Sequence, residues 1–205
     1  MKTKTKKIAQ YSAIALAAAA VLPMACKKET KVADDPEIDV STLNLTFSYN
    51  GSIDTHVDTS FITLANELYI GLDNDIYRKY VYLDFNGDSR FQKNVSTSVN
   101  GEDWDFLPIL TEGATIDTNR AAWITGVSSS NDDGYLFVND KDPLPGASVG
   151  IAGQGDKFIA FRNGTGSSFK YGWMKVNVAA NANSITIKEV AMSNIFNKVI
   201  KVGAK

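Results

Sequence analysis

Asp84, Asn86 and Asp88 stand at alternate positions in Asp84-Phe85-Asn86-Gly87-Asp88-Ser89-Arg90. A calcium ion takes oxygen ligands from the first, third and fifth positions of a short loop, which makes this turn the chain's cation candidate. Phe91, Gln92 and Lys93 follow where further acids would be wanted, so Asp73 and Asp75 would have to complete the site. The same residues also make an ion-free Asn-Gly turn, because Asx side chains bond to their own backbone. A second constellation, Glu102-Asp103-Trp104-Asp105, joins three carboxylates to an indole. Two acids flanking a glycosidic bond can hydrolyse it, and Trp104 or Trp123 could stack on a sugar face. Each indole would serve equally well as a core side chain. His56, between Asp54 and Asp58, has the company of a general base. No Gly-x-Ser-x-Gly nucleophile motif and no second histidine accompany it. No catalytic residue is assigned, and the expectation is a protein that is not an enzyme.

These residues need a frame, and the pattern around them is that of strands. Leu43, Leu45, Phe47 and Tyr49 alternate with Asn44, Thr46 and Ser48, the period of two of a half-buried strand. Residues 79–85, 121–127, 134–138, 157–162, 168–178 and 184–192 are further candidates. Asn50-Gly51, Asn86-Gly87, Asn100-Gly101, Asp133-Gly134 and Asn163-Gly164 accept the positive φ of hairpin turns. Residues 66–72 and 194–199 could each form a helical turn or two. With so many strands, an all-β fold is expected: an antiparallel β-sandwich, jelly-roll-like, with a closed β-barrel as the alternative.

The 205 residues carry a formal charge of −2, which argues against a nucleic-acid partner. One cysteine excludes an internal disulfide framework or a multi-cysteine metal centre, and one histidine excludes a His-rich one. The near-neutral total hides a division. Residues 32–142 hold twenty acids against six bases, and residues 143–205 hold two acids against eight bases.

The chain opens with Lys2, Lys4, Lys6 and Lys7, no acid, and then an apolar run from Ala13 to Leu22. These are the charged and apolar regions of a secretory signal. The run is shorter than the ~20 residues of a membrane span. Leu22-Pro23-Met24-Ala25-Cys26 follows, and here the sequence resembles the lipobox of Gram-negative bacterial lipoproteins, although Pro23 and Met24 are not its preferred residues. That resemblance implies cleavage between Ala25 and Cys26 and a covalent lipid (palmitate among its chains) on Cys26. The alternative is an ordinary signal peptide cut after Ala25, with Cys26 a free thiol. Lys27 stands after the cysteine where inner-membrane lipoproteins carry aspartate, which implies the outer membrane, periplasmic or surface-facing. The domain expectation is a signal peptide over 1–25, a polar lipid-anchored tether over 26–40 and one sandwich domain over 41–205.

Residues 158–162, a short polar turn and then Phe169-Lys170-Tyr171-Gly172-Trp173 also resemble a hairpin near the end of secreted bacterial β-sandwich proteins of unassigned function. That resemblance implies architecture and secretion. Phe169, Tyr171 and Trp173 share a face, with Gly172 placed where a ring crosses the backbone. The functional expectation is a lipid-anchored envelope lipoprotein acting as a non-enzymatic interaction or accessory module. Its alternative is a glycan-binding module, calcium-assisted if Asp84, Asn86 and Asp88 bind the ion, and after that a glycoside hydrolase. Its partners would be the membrane through the lipid, and a glycan or protein at the cell surface.

Overall fold

A computed structural model of the chain describes residues 37–49, 51, 54–57, 68–74, 76–85, 89–92, 95–116, 118–119, 123, 134–141 and 146–205, with 54–57 and 90 by backbone only. These residues fall in one compact unit. Twelve strands make it up: β1 (Ile38–Ser48), β2 (Asp54–Val57), β3 (Leu68–Asn74), β4 (Arg78–Phe85), β5 (Ser89–Phe91), β6 (Val95–Val99), β7 (Glu102–Phe106), β8 (Gly134–Asp140), β9 (Ala147–Gly150), β10 (Lys157–Thr165), β11 (Ser168–Val178) and β12 (Ser184–Ser193).

They form two packed sheets, the expected β-sandwich. One is ordered β1-β12-β11-β10-β5. The other is ordered β2-β3-β4-β8-β7-β6, with β9 beside β8. Pairing is antiparallel except for one parallel bridge, Phe106 to Tyr135. The sheets stay open at β1, β5, β2 and β6, so there is no closed barrel.

Alternation explains the inner layer. Val81, Leu83 and Phe85 on β4 meet Ile159 and Phe161 on β10 and Met174, Val176 and Val178 on β11. Phe85 stacks on Phe91 at 4.4 Å between ring centres. Each large apolar side chain buried in this way contributes about 1.5–3 kcal/mol. The pattern slips at two places, one of them between β4 and β8, where Leu136 is the extra residue. At the other, level with Lys188, β12 carries one residue more than β11, and β1 one more than β12. The bulge lets Ile185 and Ile187 face the core before it and Val190 and Met192 after it.

The outer side of the five-stranded sheet is also covered. Trp173, Tyr171, Phe158 and Ala160 pack there under residues 110–116 and the closing segment Ile200, Val202 and Ala204. That cover is held by backbone bonds, from Ile116 N–H to the Ile200 carbonyl and from Val202 N–H to the Ala114 carbonyl. Gly172 sits where a ring crosses the backbone: a Cβ there would lie 2.4 Å from the Phe161 ring and 2.6 Å from the Ala191 carbonyl oxygen.

Three expectations are corrected. The chain enters the sheet at Ile38, not after residue 40, because Ile38 and Val40 already bury against the outer layer. Residues 68–72 of the helical candidate region 66–72 lie in strand β3, where Leu68, Ile70 and Leu72 alternate into the core and Tyr69, Gly71 and Asp73 face the other way. Asn163-Gly164 lies inside the β10–β11 ladder; the hairpin turns two residues later, at Gly166.

Candidate functional site

The outer face of the seven-stranded sheet carries a group of aromatic rings that the inner-layer pattern leaves over. With Val81, Leu83 and Phe85 facing inward, Tyr80, Tyr82 and Asp84 must face out. Register then brings in the neighbours: Tyr82 pairs with Gly71 on β3 and with Tyr135 on β8, and Tyr80 pairs with Asp73 and Val138. Tyr80 and Tyr82 are 5.9 Å apart, Tyr80 and Tyr135 meet edge-on at 5.7 Å, and Tyr82 and Tyr135 lie 5.9 Å apart. All three rings are half-buried. Tyr82 lies directly on Gly71: a Cβ at that position would come within 1.7 Å of its ring.

The β6–β7 hairpin closes one side of this face. Asn100 and Gly101 supply the two positive φ angles, 52° and 87°, of a two-residue turn joining Val99 to Glu102. Val99, Trp104 and Phe106 then pack with Val138, Tyr80 and Tyr135. Trp104 meets Tyr135 edge-on at 5.0 Å. The Arg78 guanidinium lies 5.5 Å from the Trp104 ring centre. Its Nη2 donates to both Glu102 oxygens, at 2.7 and 2.8 Å. The pair is exposed and contributes about 0.2–1 kcal/mol, so its value is mainly in fixing the hairpin's position. The buried Trp104 indole N–H finds no hydrogen-bond acceptor among the described residues.

The carboxylates divide around the rings. Asp73 and Asp84 are half-buried on the same outer face. Asp84 pairs with Tyr69 and Asp73 with Tyr80, so four strand positions separate the two acids. At the rise of a strand that is about 13 Å, too far for one cation. Asp73 therefore does not complete the calcium candidate at Asp84, while Asn86, Asp88 and Asp75 lie outside the described residues. Among the described residues no three His, Cys, Asp or Glu side chains cluster as a metal site. Asp103 and Asp105 are exposed on the side of β7 opposite Trp104. His56 is in β2, its backbone paired with Tyr69.

The two tryptophans expected to stack on a ligand are both buried, and on different sheets. Trp104 belongs to the tyrosine cluster. Trp123 bridges to Gln92 and packs on Tyr171 beneath the Arg162 guanidinium, beside the five-stranded sheet. Burial of the indoles follows from their size, since each has more apolar area to hide than any other side chain here. The partly exposed rings are the tyrosines. The period-two pair Tyr80-Val81-Tyr82 was the sequence signal for them. Ala25 and Cys26 lie outside the described residues.

Among the described residues, two groups titrate away from their ordinary range. Burial, and then the charge of Lys141, lowers the Lys79 ammonium, which donates to Asn183 Oδ1 in the β11–β12 turn. Asp156 is held below the usual carboxylate range chiefly by its hydrogen bond from Lys188, with burial opposing and Asn177 and Lys175 assisting.

No family model matches the chain, nor does any curated protein or solved structure.

Proposed function

We propose that the chain is a lipid-anchored lipoprotein of the bacterial outer membrane, whose sandwich acts without catalysis as a binding or accessory module. The tyrosine face of β4 and β8 is its binding surface. The observation that carries this reading is the set of half-buried rings of Tyr80, Tyr82 and Tyr135, braced by Gly71 and Trp104 and rimmed by Arg78, Glu102, Asp73 and Asp84. Rings already locked by their neighbours lose little freedom on binding, which is where loose surfaces lose affinity. The anchor rests on the leader and Cys26. Two or more acyl chains hold stably because each buried CH₂ contributes about 0.8 kcal/mol. Metabolic fatty-acid labelling of the wild type and of Cys26→Ala tests it: label should vanish in the variant, and undiminished label refutes the anchor.

A glycan is the ligand this face suits best. Aromatic rings present apolar faces to a sugar while flanking carboxylates accept from its hydroxyls, and Asp73, Asp84 and Glu102 surround the rings. Asp103 and Asp105 point away from them, so the surface supports binding better than glycoside hydrolysis. Glycan-array signal that is lost in Tyr82→Ala is the expected result. Loss on chelation would add calcium to the reading, and silence across a broad array would refute the glycan.

A further inference from the structure

The described chain begins at Glu37, and beside it lies the most apolar exposed turn of the five-stranded sheet. Ile195, Phe196 and Val199, on the stretch that follows β12, are 42%, 56% and 52% exposed. Water ordinarily finds one such side chain on a turn, not three in five residues. The turn is nevertheless held in place. Asn194 N–H donates to the Glu37 carbonyl at 2.7 Å, and Asn197 exchanges bonds with the Phe169 backbone at 2.6 and 3.0 Å. Lys198 pairs with the Glu37 carboxylate, and the Lys170 ammonium lies 5.3 Å from the Phe196 ring centre. Lys201 follows, also exposed. An ordered apolar tip among lysines matches a bilayer interface: apolar side chains enter the acyl boundary and lysines stay at the headgroups.

Position selects the occupant. Cys26 is eleven residue steps before Glu37, at most about 40 Å of chain even if fully extended. A second exposed apolar tip, Ile76 and Tyr77 in the β3–β4 turn, lies at the opposite end. Lys79 beside it bonds to Asn183, before the start of β12, whereas Ile195 comes after the end of that strand. Charge agrees with position, since residues 143–205 are the basic part of the chain and a phosphatidylglycerol surface is anionic.

We infer that Ile195, Phe196 and Val199, with Lys170 and Lys198, form a membrane-seating patch that lays this end of the sandwich on the leaflet carrying the anchor. The inference rests on the proposed lipidation of Cys26. Acylation of Cys26 leaves the mature lipoprotein without a free thiol, so a single added cysteine accepts a fluorophore alone. Full-length lipoprotein carrying Phe196→Cys, Val199→Cys or, as the far-end control on β9, Ser148→Cys is labelled with an environment-sensitive nitrobenzoxadiazole. It is then reconstituted in phosphatidylethanolamine–phosphatidylglycerol vesicles. At positions 196 and 199 the emission should shift to the blue and be quenched by nitroxide-bearing lipids, while position 148 keeps its aqueous spectrum. An aqueous spectrum at 196 and 199 with acyl mass present on Cys26 overturns the seating patch and leaves the anchor standing. Intact-mass measurement showing an unacylated Cys26 overturns both. A blue shift that nitroxide lipids do not quench, seen only in concentrated samples, assigns the patch to contact between copies and likewise overturns membrane seating.

Discussion

The Tyr82 ring occupies the space a side chain at Gly71 would need, and a double-mutant cycle measures that contact. A Cβ at position 71 would lie 1.7, 2.2 and 2.3 Å from three atoms of the Tyr82 ring. Ordinary contact needs at least 3.4 Å, so in Gly71→Ala the ring must move by more than an ångström. It would leave its place between Tyr80 and Tyr135. Overpacking of this kind costs about 1–3 kcal/mol, against a gain of about 0.4–1 kcal/mol from the stiffer unfolded chain. Gly71→Ala is therefore expected to lose about 1–2 kcal/mol. Tyr82→Ala gives up a half-buried ring and should lose a similar amount, about 1–2 kcal/mol. In the double variant the new methyl enters the space left by the ring, so its cost should not exceed that of Tyr82→Ala alone. The cycle then falls short of additivity by about 1–2 kcal/mol. Urea unfolding followed by tryptophan fluorescence gives the free energies, and near-ultraviolet circular dichroism reports the displaced tyrosine. Wild-type stability in Gly71→Ala, or strictly additive costs, would refute the claim that the glycine exists to seat the ring.

Gly172→Ala should be worse than Gly71→Ala, by about 1 kcal/mol or more, because its new methyl meets the Ala191 carbonyl as well as the Phe161 ring and a carbonyl cannot rotate away. Thermal unfolding of the two variants side by side checks the order. Asp156→Asn is expected to lose less than about 1 kcal/mol at pH 7, since its ion pair with Lys188 is part-exposed. Its folded pKa is depressed, so the contribution is present above the ordinary carboxylate value of about 3.9 and disappears as pH falls through the folded value. Unfolding curves of wild type and variant should thus converge in acid; a gap that widens there would contradict the assignment.

The sequence made most of one sheet legible. Residues 157–162, 168–178 and 184–192 alternate over long windows, and β10, β11 and β12 follow them closely. The other sheet was harder to read because β2, β6, β7 and β9 have only four or five residues each, too few for a period to declare itself. The tyrosine face was hidden for another reason. Tyr80 and Tyr82 are neighbours in sequence, but Gly71 and Tyr135 join them only through strand register, which is set by pairing across sixty residues of chain. The division of charge did foretell something. The strands of the tyrosine-bearing sheet hold seven acids against two bases and those of the other sheet two acids against six bases, although β1 and β5 of the latter come from the acidic stretch, so two sheets of opposite charge pack together.

The entry of the chain through β1 has a mechanical meaning. Were the proposed anchor at Cys26 to hold the domain against a pull from the end opposite Ile38, the load would run along β1. Nine ladder positions join β1 to β12, running antiparallel from Ile38–Ser193 to Ser48–Ser184. Tension of that direction shears all of them at once, whereas a tether entering at the other end of β1 would peel them one by one. Under the proposed anchor at Cys26, the first strand is thus a clasp loaded in its strong direction.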